Sequence, residues 1–256
     1  GRYWNANAPT WTELARKGYD IYRDSFNTPG FFHMLPDIKN LNGLDIGCGE
    51  GHNTRLLAKA GASVTALDIS GRFIDYAAAA ESYNPMSIHY LNASAVALPF
   101  GDNCFDFATG FMSFMDIPET EKVIAEAFRI LKPGGFLQFS IMHPCFDTPY
   151  RKNLRDENGQ LYAVEVGDYF RNLNGEMSEW IFSQLPPELA ANYEKFKIPR
   201  FTRTLSQWFN LLIDTGFRID RIGEPYPSDK ALKIWPDVQD ALIVAYFLHI
   251  RVVKPH

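Results

Sequence analysis

Residues 41–54 constrain this chain more than any other stretch, because they pass from an apolar strand through a glycine-rich turn into a helix start. They read Leu41-Asn-Gly-Leu-Asp45-Ile-Gly47-Cys48-Gly49-Glu-Gly51-His-Asn53-Thr54. Glycines at 47, 49 and 51 remove every Cβ where the chain turns over, so backbone can approach a ligand and adopt positive φ at little steric cost. A strand, a glycine turn and a helix in that order form a nucleotide-type ligand site. Asn53 and Thr54 are expected to cap a helix that runs to Ala60 and is closed by Gly61.

The next strand narrows the ligand. This second apolar run, Ala62-Ser-Val-Thr-Ala-Leu-Asp68, ends in a carboxylate close to the position, roughly 20 residues on, where an acid accepts both ribose hydroxyls. An adenosine ligand fits. The dinucleotide fingerprint would place its third glycine one residue later, where this chain has His52, so the spacing disfavours NAD and a dehydrogenase.

From 41 to 142 apolar strands alternate with helices, the pattern of a parallel sheet covered on both faces. Strands are expected at about 42–46, 63–68, 87–91, 104–110 and 136–142. Ser70 should cap a helix through Phe73, Ile74, Ala77 and Ala78. Pro118 should open another, with Val123, Ala127 and Ile130 facing the sheet and Lys132-Pro-Gly-Gly135 stopping it. Before the first strand, Trp11, Leu14, Gly18, Ile21, Tyr22 and Ser25 fall near one helical face, and Pro29 and Pro36 are expected to break that segment. Residues 146–203 break the alternation with clustered aromatics and read as a cap. A helix at 204–215, closed by Gly216, and strands at about 217–223 and 241–253 complete the chain, the last two pairing antiparallel at the sheet edge.

Four ordered motifs carry a resemblance: Leu44-Asp-Ile-Gly-Cys-Gly-Glu-Gly51, Leu67-Asp-Ile-Ser70, Ala97-Leu-Pro-Phe-Gly-Asp-Asn-Cys-Phe-Asp106 and Arg129-Ile-Leu-Lys-Pro-Gly-Gly135. Over about residues 40–145 the chain resembles the class I S-adenosylmethionine-dependent methyltransferases, and within them the methyltransferase type 11, ubiquinone-biosynthesis-like group that acts on small molecules. The resemblance implies a doubly wound, Rossmann-like α/β fold. Its seven-stranded sheet would have an antiparallel last strand, a core at 41–145 and 204–256, N-terminal lid helices at 1–40 and a cap insertion at 146–203. It implies S-adenosylmethionine as cofactor, with Asp45 organising the amino-acid end, Gly47, Cys48, Gly49 and Asn53 passing beneath it, and Asp68 holding the ribose. Ile69 would flank the adenine, Asn92, Ala93 and Ser94 its edge, and Phe111 and Met112 the methyl-donor channel. Asn92-Ala93 departs from the acid-alanine pair that many relatives carry. A carboxylate reading the adenine amino group is therefore not available there.

Methyl transfer mainly requires alignment and exclusion of water, so a dedicated base is optional. His143, just after the fifth strand, is the candidate base or substrate-orienting group; a histidine bonded to turn backbone before Pro144 is the competing reading. Tyr22, Met115, Tyr169, Phe170 and Arg203 are further candidates for the acceptor site, with Trp180, Trp208 and Glu224 near them. Tyr19, Tyr22 and Arg23 could reach the cofactor carboxylate, with packing on the helix face as the competing reading. For each aromatic, packing within a cap core competes with substrate contact.

Composition prunes the alternatives. A formal net charge of −5 and the absence of any long Lys/Arg run argue against a nucleic-acid methyltransferase. Three cysteines, at 48, 104 and 145, lack metal-ligand or redox spacing, so no metal is expected and a reducing cytoplasm fits. No apolar stretch approaches the length of a membrane span. The reading is therefore a cytoplasmic enzyme acting on a small molecule with an aromatic or apolar body, at O, N or C. A catalytically silent cofactor-binding partner protein is the alternative, and the oligomeric state is open.

Overall fold

A computed structural model describes residues 1–256. Two helices precede the sheet, α1 (Arg2–Arg16) and α2 (Thr28–Met34), with a π-helical turn at Arg23–Asn27 between them. The expected continuous face through Gly18 does not form, because Gly18 takes φ +83° and the chain turns there. Nor does Pro29 break a helix. It lies in the first turn of α2, where no N–H is needed.

The core strands are β1 (Asn42–Ile46), β2 (Ser63–Asp68), β3 (His89–Asn92), β4 (Phe105–Phe111) and β5 (Leu131–Met142), joined through α3 (His52–Lys59), α4 (Gly71–Tyr83) and α5 (Thr120–Ile130). Residues 146–203 form two hairpins, β6 (Tyr150–Arg155) with β7 (Leu161–Gly167) and β8 (Asn174–Trp180) with β9 (Phe196–Phe201), the second holding the short α6 (Pro187–Ala190). Then come α7 (Leu205–Thr215), β10 (Arg218–Gly223), α8 (Asp229–Ile234) and β11 (Phe247–Val253).

The main sheet has seven strands in the order β10-β11-β5-β4-β1-β2-β3. Its first five strands run parallel, while β11 lies antiparallel between β5 and β10. This is the doubly wound, Rossmann-like fold. The strand expected from 241 begins only at Phe247, because Pro236–Leu242 forms a 3₁₀ turn whose Val238 and Ala241 bury against Ile21 and Phe26 of the N-terminal segment. Pro118 does not open α5 either. Thr120 Oγ1 donates to the Ile117 carbonyl at 2.6 Å, and the helix starts at Thr120 itself. Val123, Ala127 and Ile130 are fully buried under the sheet, as their spacing predicts.

Two of the four motifs hold the fold rather than a ligand. Arg129 donates to the carbonyls of Phe100 (2.8 Å) and Leu98 (3.2 Å) and to Asp102 (2.9 Å), clamping the 97–106 loop onto the end of α5. As expected, α5 ends at Ile130, directly before Lys132–Gly135; that stretch is itself a bulge inside β5, between the paired positions Leu131 and Phe136.

The lid and the cap form one roof. Trp11 of α1 lies 5.4 Å from Trp180, 5.1 Å from Phe182 and 4.8 Å from Phe196, ring centre to ring centre. Asn7 pairs with the edge of β9 as a strand would: its Nδ2 donates to the Lys197 carbonyl (3.0 Å) and its Oδ1 accepts the Lys197 N–H (3.2 Å). No helix is long and apolar enough to cross a membrane.

Gly43 is set by the core beneath the turn, since a Cβ there would lie 2.1 Å from the Phe107 ring. Gly43→Ala should cost about 1–3 kcal/mol by overpacking. Urea unfolding monitored by circular dichroism should show the midpoint falling with little change in slope.

Candidate active site

Strand order reverses between β1 and β4, and a crevice opens there at the carboxyl ends of the strands. The roof covers part of it, leaving one cavity of about 750 Å³. One end is walled by the glycine turn and the ends of β1 and β2, the other by the β8–β9 hairpin and the segments after β4 and β5.

The turn is held from below. Gly47 and Cys48 both donate their N–H to the Leu67 carbonyl, at 2.8 and 3.0 Å. Gly47 has φ +75°, and a Cβ on it would sit 2.5 Å from Ser113. Gly49 has φ +55°, yet nothing in the protein lies within 4 Å of where its Cβ would be. Gly47 is thus demanded by packing, whereas the bare backbone at Gly49 faces open cavity and can lie against a ligand.

Asp45 is buried and both its oxygens are occupied, Oδ2 by Thr54 Oγ1 at 2.7 Å and Oδ1 by Thr109 Oγ1 at 2.9 Å. Burial lifts its pKa to about 6, against the pull of the two threonine bonds. The expected capping by Asn53 and Thr54 does not occur: Thr54 is spent on Asp45, Asn53 Oδ1 accepts from Thr28 Oγ1 at 3.2 Å, and Gly51 begins α3 without a side-chain cap.

Asp68 ends β2 in the cavity wall. Its oxygens accept the N–H groups of Gly49 (3.0 Å) and Ser70 (2.8 Å), and each retains a free lone pair. Ile69, Ala93 and Ser94 line the same end, and Phe111 and Met112 the middle. Asn92 does not reach the cavity lining, because its Nδ2 donates to the Asp68 carbonyl at 2.9 Å and braces that strand end from behind.

From the lid, Tyr22 turns its ring to the cavity while its hydroxyl donates to Asp240 at 2.8 Å. Beside it stand Tyr19, Arg23 and a residue that carries no sequence signal, Asp20, whose pKa burial raises to about 6 with Arg23 opposing.

His143 does not line the cavity. Its Nδ1 accepts the Cys145 N–H at 3.2 Å, which assigns the proton to Nε2, and Nε2 meets Glu224 at 2.9 Å. Burial lowers its pKa and Glu224 pulls the other way. It is a turn residue with both nitrogens engaged. Phe170 also leaves the site, 84 % exposed and packed edge-on against Tyr169. Met115, Tyr169 and Arg203 do line the cavity; Arg203 pairs with Glu121 at 2.8 Å and lies over the Trp208 ring.

Three lining residues at this end escape a reading of the sequence: Asp116 after β4, Asp147 after β5 and Arg200 on β9. Arg200 Nη2 donates to Asp147 Oδ2 at 2.6 Å. Asp116 is half-buried on the cavity wall, and its pKa rises to about 8, chiefly through burial, then through the like charge of Asp147, with Arg200 opposing. Asp116 does sit in Gly110-Phe-Met-Ser-Phe-Met-Asp116, a short step beyond the fourth strand, which is the available signal. Arg200 and Asp147 are brought together only by the cap's folding.

Fold and cavity define a nucleoside-binding α/β protein with a roofed chamber beside the nucleoside end. Residues 44–139 match the family described as a methyltransferase domain. The malonyl-[acyl-carrier protein] O-methyltransferase of Pectobacterium atrosepticum is 30 % identical over 67 % of this chain and 78 % of its own. The ubiquinone biosynthesis O-methyltransferase of Coxiella burnetii is 29 % identical over 53 % of each chain. Among solved structures, an S-adenosylmethionine-dependent methyltransferase from Mesorhizobium loti superposes with a TM-score of 0.71 at 25 % identity, over 88 % of this chain and 96 % of that one. The chain belongs to the S-adenosylmethionine-dependent methyltransferase family, and its cofactor is S-adenosylmethionine.

A raised carboxyl pKa in the folded state means that the native protein holds a proton the unfolded chain releases. Stability from Asp116 is therefore lost as pH rises from about 4 towards 8. Asp116→Asn should raise the melting temperature, by an amount that grows across that interval; thermal melts at both ends of it measure the difference.

Proposed function

We propose that the chain methylates a small metabolite with an aromatic or apolar body, at O, N or C, inside the roofed end of this cavity. The observation that carries the reading is continuity: the bare turn at Gly49 and the aromatic and guanidinium groups of the cap wall share one roofed cavity. A roofed cavity suits the reaction, because alignment and exclusion of water are what the protein must supply. When bound, S-adenosylmethionine supplies a methyl group on a sulfonium, which departs as a neutral thioether.

The residues fit that cofactor. Asp68 has free lone pairs for the ribose hydroxyls, and Ile69, Ala93 and Ser94 offer a flat, partly apolar bed for the adenine. Gly47, Cys48 and Gly49 present backbone to the sulfonium end. Asp20 and Arg23 give the amino-acid end one partner of each sign. Asp45 acts indirectly, holding α3 and β4 against the turn through its threonine bonds. Past the cofactor, Met112, Met115, Tyr169 and Trp208 form an apolar wall for the acceptor body.

S-adenosylmethionine and S-adenosylhomocysteine should raise the melting temperature, whereas NAD should not, because a ligand selective for the native state stabilises it. Equal shifts from NAD in a thermal titration would contradict the assignment. Asp68→Ala should weaken S-adenosylhomocysteine binding about tenfold or more, since a hydrogen bond to a charged group is worth about 1.5–3 kcal/mol. Calorimetry finding unchanged affinity would move the ribose site elsewhere.

A further inference from the structure

We propose that Asp116 is the proton acceptor for an acidic hydroxyl on the methyl acceptor, and that Arg200, held by Asp147, selects such an oxygen acid over an ammonium group. This rests on the methyltransferase reading above and specifies the acceptor that the same chamber takes.

The geometry is particular. Asp116 closes a 3₁₀ turn, Phe114–Asp116, at the carboxyl end of β4, and β9 of the cap packs against that turn. Its backbone N–H is satisfied by the Ser113 carbonyl at 3.1 Å, but its carboxyl makes no hydrogen bond to the protein and lies on the cavity wall. The carboxyl is half-buried and has no partner in the protein, so it is open to a ligand donor in the cavity.

Arg200 stands across from it on β9. One guanidinium nitrogen, Nη2, reaches Asp147 Oδ2 at 2.6 Å and the Asp147 carbonyl at 3.3 Å; its other N–H groups have no protein acceptor. The remaining charged neighbours cancel in pairs. From α5, Glu121 pairs with Arg203 at 2.8 Å, Lys122 pairs with Glu119 at the start of that helix, and Lys197 of β9 faces Glu179 at 3.8 Å. What remains unsatisfied at the chamber is one carboxyl and part of one guanidinium.

That pair suits an oxygen acid. A carboxylate can take the proton of an acidic hydroxyl: the O–H bond breaks, the proton joins one Asp116 oxygen, and the electron pair stays on the acceptor oxygen, ready to form the new bond to carbon. The neutral Asp116 returns its proton to solvent after product leaves. The N–H groups of Arg200 that lack a protein acceptor donate to the oxygen on which charge develops, whereas an ammonium has no lone pair to receive them and leaves those donors unpaired. Because burial lifts Asp116 to about 8, its affinity for a proton approaches that of an acidic phenol or enol, which makes sharing nearly symmetric.

Ligand binding separates this proposal from the reading beneath it. S-adenosylhomocysteine is first shown to bind by calorimetry; if it does not, the methyltransferase reading itself fails. With it bound, 4-nitrophenol and 4-nitrobenzylamine are titrated into wild type, Asp116→Asn and Arg200→Gln, with thermal melts confirming folding. Wild type should prefer the phenol by at least about tenfold, and its affinity should fall about tenfold per pH unit above about 8, where the site can no longer hold the proton it shares with the phenolate. Asp116→Asn should abolish that pH dependence, and Arg200→Gln should erase the preference. Identical pH profiles in wild type and Asp116→Asn, a preference unchanged by Arg200→Gln, or no binding of either compound at millimolar concentration would each overturn the assignment.

Discussion

The buried carboxylate of Asp45 is the joint on which the site hangs. It accepts from Thr54 on α3 and from Thr109 on β4, so one charged group fixes the helix after the glycine turn and the strand across the switch point at once. With the turn pinned to Leu67 by two backbone bonds and to Asp68 by a third, its direction is settled before any ligand arrives. A buried carboxylate is tolerated only where its lone pairs are met, and here hydroxyls at 2.7 and 2.9 Å meet them. Displacing either threonine would leave charge uncompensated at the point where β1 and β4 part.

The roof is the second constraint. Trp11 of the lid packs into the aromatic cluster of the β8–β9 hairpin, and Asn7 binds the backbone of β9. Tyr22 and Tyr246 both donate to Asp240, which ties the N-terminal segment to the approach of β11. Lid and cap therefore cannot open independently without breaking aromatic contacts and backbone bonds. The chamber is made by parts distant in sequence.

That distance decides what the sequence could reveal. The glycine turn, Asp68 and the parallel strands were legible because each is local: glycines where φ is positive, a carboxylate at a strand end, apolar runs of strand length. The motifs around 97–106 and 129–135 were legible as signals of kinship but not of role, since Arg129 clamps carbonyls that no pattern links to it. His143 misled for the opposite reason. Its place after the fifth strand suits a base, yet the turn it opens folds its ring back onto the Cys145 N–H and Glu224. Asp116, Asp147 and Arg200 come from three segments that only the cap brings together, and the raised pKa of Asp116 follows from its surroundings in the fold, which no spacing records.

On the proposed reading, a pre-shaped glycine turn and a joined roof close over one cofactor. Amide hydrogen exchange with and without S-adenosylhomocysteine tests this most directly, because protection reports which segments the ligand ties down. Exchange should slow together at residues 47–51, at 68–70, in the lid around 20–27 and in the β8–β9 hairpin, with β6 and β7 unchanged. Protection confined to the turn, with lid and hairpin exchanging as before, would contradict the joined roof; no protection at the turn would contradict the site itself.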